Sequence, residues 1–376
     1  MRRSLPLILA LVTIAACTPS PANAPAASGD TKAHITGQTQ AELQAVLQAQ
    51  HDAVAGQDLT GYQKTFDSTR LAFRRCQQET FDIAGRRGAA PTTPRIAKIE
   101  PFLDQYVTAY ADEGDNGFRR VWFRREEGRW IQTEPKESEL GGEKTKTGDS
   151  VTLDYWGMDE DLSGAYLKAS QQARDVVAKN ALSEKSQQLS IRFYPTKEVA
   201  GPQGCTVVGF HLTNVPSDLF VRFFRWWFDG SLTQLSPLTV SFITHEGLHG
   251  AQDQFIPGIS ARLDWWLVEG WPDYVGQSRT LAAIKSALCG TPTPTFKQLV
   301  DGPAPDLPPE AAPQYYAFAN TMVEYLYATF GNGAYRDLAI VYKDGVDPKV
   351  NYPKVLKVTP EQFYAGWMAA AKKKYC

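Results

Sequence analysis

The chain has 376 residues, 43% hydrophobic and 21% charged, the composition of a globular protein long enough for two ordinary domains. Its formal net charge is -2, so no electrostatic field points to nucleic acid, and no nucleic-acid partner is expected.

Arg2 and Arg3 precede an apolar run, Leu5 to Ala16, that is too short to span a bilayer and stay there. The run ends Ile14-Ala15-Ala16-Cys17, with small residues directly before a cysteine. This segment resembles the lipobox of bacterial lipoproteins. The resemblance implies a signal peptide over residues 1–17, lipidation of Cys17, and an extracytoplasmic protein anchored to a bacterial membrane, on the periplasmic or outer-membrane side. An ordinary signal peptide cut nearby, with Cys17 incidental, is the alternative. Residues 18–39 include a Pro-, Ala- and Ser-rich stretch and read as a flexible tether.

Four cysteines remain, Cys76, Cys205, Cys289 and Cys376. In an oxidising compartment they can form two disulfides, and three pairings are open. None has a spacing that suits a metal, so a structural role is expected.

Residues 40–137 read as a small α+β unit. Gln40 to Ala55 carries Leu43, Val46, Leu47 and Val54 near helical period, while Gln105 to Ala111 and Phe118 to Arg125 read as strands. Gly128 turns the chain into Arg129 to Thr133. Helix first and hairpin strands after, ending in GRWIQTEP, loosely resembles the cone-shaped nuclear-transport-factor-like fold. Such units are more often dimerisation or binding modules than enzymes, so a homodimer through this domain is one expectation. Residues 138–150, rich in Gly, Glu and Lys, read as a linker. Beyond it, the spacing predicts a helix over 159–179, strands over 189–194 and 206–212, and a helix over 237–249. A last amphipathic helix is predicted over 315–330, stopped by Gly331.

His245-Glu246-Gly247-Leu248-His249 is an HExxH motif in a chain with only 5 histidines. On a helix, residues four apart share a face, so both imidazoles can aim at one ion. Glu246 lies about 100° around the helix, beside the metal and placed to act as a base. A third protein ligand would leave the fourth position to water. Glu269, 20 residues after His249 in the block WLVEGWPDY, can supply it.

These two blocks resemble the gluzincins, the thermolysin-like superfamily of zinc metallopeptidases, in particular members with a WLxEGxAxY block. The resemblance implies one Zn2+ per chain on His245, His249 and Glu269, with Glu246 as general base. The substrate would be a peptide or protein held along an edge strand, for which 206–212 is the candidate. The whole is then α+β, a small cone-shaped N-terminal domain followed by a zincin-like peptidase domain over 151–376.

Pro272 stands where the block usually has Ala, and proline is tolerated in a first helical turn. Glu269 is therefore expected at the very start of its helix. Gly247 and Gly250 weaken the metal helix and suggest close packing or a degenerate site. Asp273, four residues after Glu269, matches a family aspartate that bonds a ligand histidine; a solvated helix carboxylate is the plainer alternative. Tyr316 matches a tyrosine in related Y…VxYL segments and is the candidate oxyanion donor. Trp226, Trp227, Trp265, Trp266 and Trp271 are expected in the core, with no site role. A lipoprotein that binds zinc or another ligand without catalysis is the competing reading.

Overall fold

The computed structural model describes residues 37–87, 93–114, 117–183, 188–200, 205, 209–211, 219–223, 227–290, 292–303 and 312–376. Cys17, most of the tether and Trp226 lie outside the described residues.

The chain mixes helix and strand, with two sheets in its N-terminal half and helices dominating the C-terminal half. It opens with helices α1 (Gly37–Ala55), α2 (Leu59–Gln63) and α3 (Leu71–Arg87). An antiparallel meander follows: β1 (Ile96–Phe102), β2 (Tyr106–Asp112), β3 (Phe118–Glu126) and β4 (Arg129–Thr133). Glu126 pairs with Arg129, so Glu127-Gly128 is a two-residue hairpin turn, and both carry positive φ, 51° and 81°. Leu43 and Leu47 of α1 are buried with Ile96, Val107, Ala109, Val121 and Phe123, which closes the helix over one face of the meander.

Residues 138–150 are not a linker. A short 3-10 turn at Glu137–Glu139 leads into β5 (Glu143–Gly148), which pairs antiparallel with β6 (Val151–Trp156). The second sheet runs β5-β6-β7-β9-β8, with β7 (Leu189–Phe193), β8 (Gly209–His211) and β9 (Leu219–Phe223). The polar composition that suggested a linker belongs to a mostly exposed edge strand, where lysines discourage further pairing. The two units also touch directly. Arg120 of β3 reaches the buried Asp159, and Phe118 bridges to Phe228.

Helices α4 (Ser163–Lys179) and α6 (Pro237–Phe255) pack together against this sheet. A short α5 (Lys197–Ala200) follows β7. The remainder is helical: α7 (Trp265–Gly276), α8 (Leu281–Gly290), α9 (Phe296–Asp301), α10 (Ala312–Phe330), α11 (Ala334–Tyr342), α12 (Pro348–Leu356) and α13 (Pro360–Tyr375). Large aromatics fill its centre. Trp266 stacks on Phe363 and Trp271 on Tyr335, and all four are buried. Two disulfides, Cys76–Cys205 and Cys289–Cys376, realise one of the three pairings. Among the described residues no helix is long and apolar enough to cross a membrane.

Candidate metal centre

Helix α6 begins cleanly. Ser236 caps it by accepting from the Leu238 N–H, and Pro237 takes the first position, where no donor is needed. The helix runs past the motif to Phe255, six residues beyond His249, so both histidines sit in its interior. Gly247 lies where α6 crosses α4: a Cβ there would stand 2.9 Å from Val177 Cγ2. The glycine weakens the helix by about 1 kcal/mol but permits this approach.

Glu269 comes from α7, and its placement differs from expectation. The helix starts at Trp265, so Glu269 is not at its very start, and Pro272 stands inside the helix beyond the first turn. Tolerance of Pro272 has a specific cause. Its ring removes the N–H that would reach the Val268 carbonyl, and the Gln252 side chain supplies that hydrogen bond instead, at 2.9 Å.

His245 Nε2, His249 Nε2 and Glu269 Oε2 converge. The two nitrogens are 3.1 Å apart, and the carboxylate oxygen lies 3.4 Å from the first and 3.3 Å from the second. Zinc–nitrogen and zinc–oxygen bonds of about 2.0–2.1 Å in a tetrahedron require ligand atoms about 3.3–3.4 Å apart. The triangle therefore has the dimensions of one face of such a site. Two imidazoles and a carboxylate suit zinc better than magnesium or calcium, which favour all-oxygen shells. The group is one that could hold a metal ion.

The electrostatics of the site follow from the same packing. Burial disfavours the charged form of His249, but the adjoining Glu269 carboxylate, together with the Glu246 charge and the Gln252 hydrogen bond, outweighs it and pushes the imidazole up to about 9. Burial acts to raise Glu269, yet His249 and His245 hold it well below the usual carboxylate range. Glu246 adds to the field that raises His249 and is not part of the triangle.

Asp273 is not a solvated carboxylate. It is fully buried one turn after Glu269, with Oδ1 3.8 Å from His245 Nδ1. That nitrogen is buried and, among the described residues, has no hydrogen-bond partner. Arg279 Nε, at 3.1 Å, and Asn320 Nδ2, at 3.2 Å, hold the aspartate in place. Tyr316 lies on α10, its ring 6.3 Å from that of His245. The Trp265 ring meets it edge-on at 5.1 Å, and the Arg279 guanidinium covers it at 4.9 Å. Burial, and then the Glu269 charge, push the phenol above its ordinary range, so it stays neutral and able to donate. Trp266 and Trp271 are core residues, whereas Trp265 reaches the site through Tyr316.

Three polar residues of the site escaped the sequence reading: Gln252, Asn320 and Arg279. Gln252 and Asn320 each had a signal, standing three residues after His249 and four after Tyr316, on faces shared with them. Arg279 follows the end of α7 and had none.

Compared with known proteins, the chain matches no family model and no curated protein.

Proposed function

We propose that the chain is a zinc-dependent peptidase of the gluzincin type, held at a bacterial cell envelope through Cys17. The observation that carries this reading is the triangle of His245 Nε2, His249 Nε2 and Glu269 Oε2, with sides of 3.1–3.4 Å. Glu246 holds the motif position of a base.

Zinc, when bound, would supply a Lewis acid that brings the pKa of a coordinated water to near 7 and polarises a substrate carbonyl. Glu246 takes the proton of the attacking water and returns it to the leaving amine nitrogen. The neutral Tyr316 phenol donates to the carbonyl oxygen as negative charge develops there. Asp273 steadies the imidazolium-like character of His245 from behind. Substrate specificity is expected to be broad along the peptide backbone. Strand β8 is the outermost strand of its sheet among the described residues and packs against α6, the helix that carries both histidines, so an extended peptide can bond to its main chain there.

The test is metal analysis of the purified protein with cleavage of a peptide library before chelation, after chelation and after zinc is restored. Zinc near one ion per chain, with activity lost and regained alongside it, is the expected result. A zinc-loaded protein that cleaves nothing would favour the non-catalytic lipoprotein.

A further inference from the structure

The two ligand imidazoles are backed by different chemistry. His245 Nδ1 faces the Asp273 carboxylate, whereas His249 Nδ1 lies 3.0 Å from Gln252 Oε1. Gln252 is completely buried, and the orientation of its amide follows from its neighbours. Its Nε2 lies 2.9 Å from the Val268 carbonyl and 2.7 Å from Tyr335 Oη. The Val268 carbonyl can only accept, and Pro272 has taken away its helical donor, so the amide nitrogen must face it. The amide oxygen then faces His249. An amide oxygen also only accepts, so the shared hydrogen belongs to His249 Nδ1. In the neutral ring the lone pair of His249 Nε2 is then left directed at His245 and Glu269, as a metal ligand requires.

We propose that Gln252 is the positioning residue that sets the tautomer and ring orientation of His249, and that Pro272 locks Gln252 into this task by leaving it the Val268 carbonyl to serve. The proline that departs from the family block is thereby part of the site's construction. Tyr335, itself stacked on Trp271, fixes the second amide hydrogen and ties the arrangement to the core. This rests on the metal-centre reading above.

The experiment is zinc affinity by chelator competition, with Tm, for the parent, Gln252→Leu, Pro272→Ala and the double variant. Gln252→Leu removes both the acceptor for His249 and the donor for Val268, so affinity should fall about 10–100-fold and Tm should drop. Pro272→Ala gives the Val268 carbonyl a backbone donor. The double variant should therefore regain Tm while its zinc affinity stays about 10–100-fold down. Recovery of affinity together with Tm would reduce Gln252 to a plug for an orphan carbonyl and overturn the proposal, as would unchanged affinity in Gln252→Leu. A double variant that recovers neither would remove Pro272 from the account.

If the parent takes up no zinc, the metal-centre reading fails separately. The tautomer is then decided by the 15N shifts of the neutral His249 ring in the metal-free protein. Hydrogen on Nδ1 in the parent, moving to Nε2 in Gln252→Leu, sustains the proposal, and hydrogen on Nε2 in the parent ends it.

Discussion

Asp273 Oδ1 stands 3.8 Å from His245 Nδ1, and both atoms are out of contact with water. At that distance the two atoms are in contact but not hydrogen-bonded. Burial raises Asp273, and Arg279, His245 and the Asn320 hydrogen bond oppose that shift. Asp273→Asn keeps the shape and removes the charge behind a ligand imidazole. Zinc affinity should fall about 10–100-fold, measured by chelator competition. Equal affinity in parent and variant would make Asp273 a packing residue.

Metal uptake should be linked to protons, and the sign is set by His249. Its pKa in the metal-free site is raised to about 9, so at pH 7 the imidazole carries a proton that an incoming metal must displace. Apparent affinity should therefore weaken by about tenfold per pH unit below that value on account of this group. Calorimetry at pH 7 in buffers of different ionisation enthalpy should find at least one proton released per metal. For the metal-free fold the same raised pKa is stabilising below the unfolded value of 6.5 and is lost as pH rises through about 9. Chelated protein should accordingly lose Tm over that interval, and the zinc-loaded protein should not.

Gly270, next to Glu269, packs directly against the α10 backbone at Ala319. A Cβ there would lie 2.5 Å from the Ala319 carbonyl oxygen and 2.7 Å from its carbon, backbone atoms that cannot swing aside. Gly270→Ala should destabilise the fold by about 1–3 kcal/mol and displace Glu269, weakening metal binding. Denaturant unfolding with zinc titration reads both effects. A variant as stable as the parent would show that the helices separate freely.

The disulfides close long loops, with separations of 129 residues for Cys76–Cys205 and 87 for Cys289–Cys376. Replacing either pair by serine should cost about 2–5 kcal/mol in unfolding free energy. Thiol labelling of the denatured, unreduced protein should find none of these four cysteines. Stoichiometric labelling of one pair would break that bridge in the account.

What was legible in the sequence was whatever a local pattern carries. Strand-forming residues marked β2 and β3, the turn at Gly128 marked β4, helical period marked α1, and the four-residue step of His245 and His249 marked a shared face on α6. Asp273 was legible for the same reason, one turn beyond Glu269. What failed depended on distant partners. Pro272 argued for a helix start at Glu269 because the donor that rescues the Val268 carbonyl lies on another helix, at Gln252. Residues 138–150 looked like a linker because an exposed edge strand and a linker share a polar composition. The cysteine pairing was open because nothing local brings Cys76 to Cys205. Helices α11 to α13 went unread for want of a motif, although Thr359 and Gln362 form a capping box at the start of α13.

The two glutamates of the centre are proposed to do different work, and zinc content beside peptide cleavage tests this in the parent, Glu246→Gln and Glu269→Ala. Glu269 is one corner of the ligand triangle, so Glu269→Ala should lose zinc and activity together. Glu246 lies outside the triangle, so Glu246→Gln should retain about one zinc per chain while losing most turnover, because no carboxylate remains to take the water's proton. Full activity in Glu246→Gln, or a metal emptied by that variant and kept by Glu269→Ala, would contradict the account.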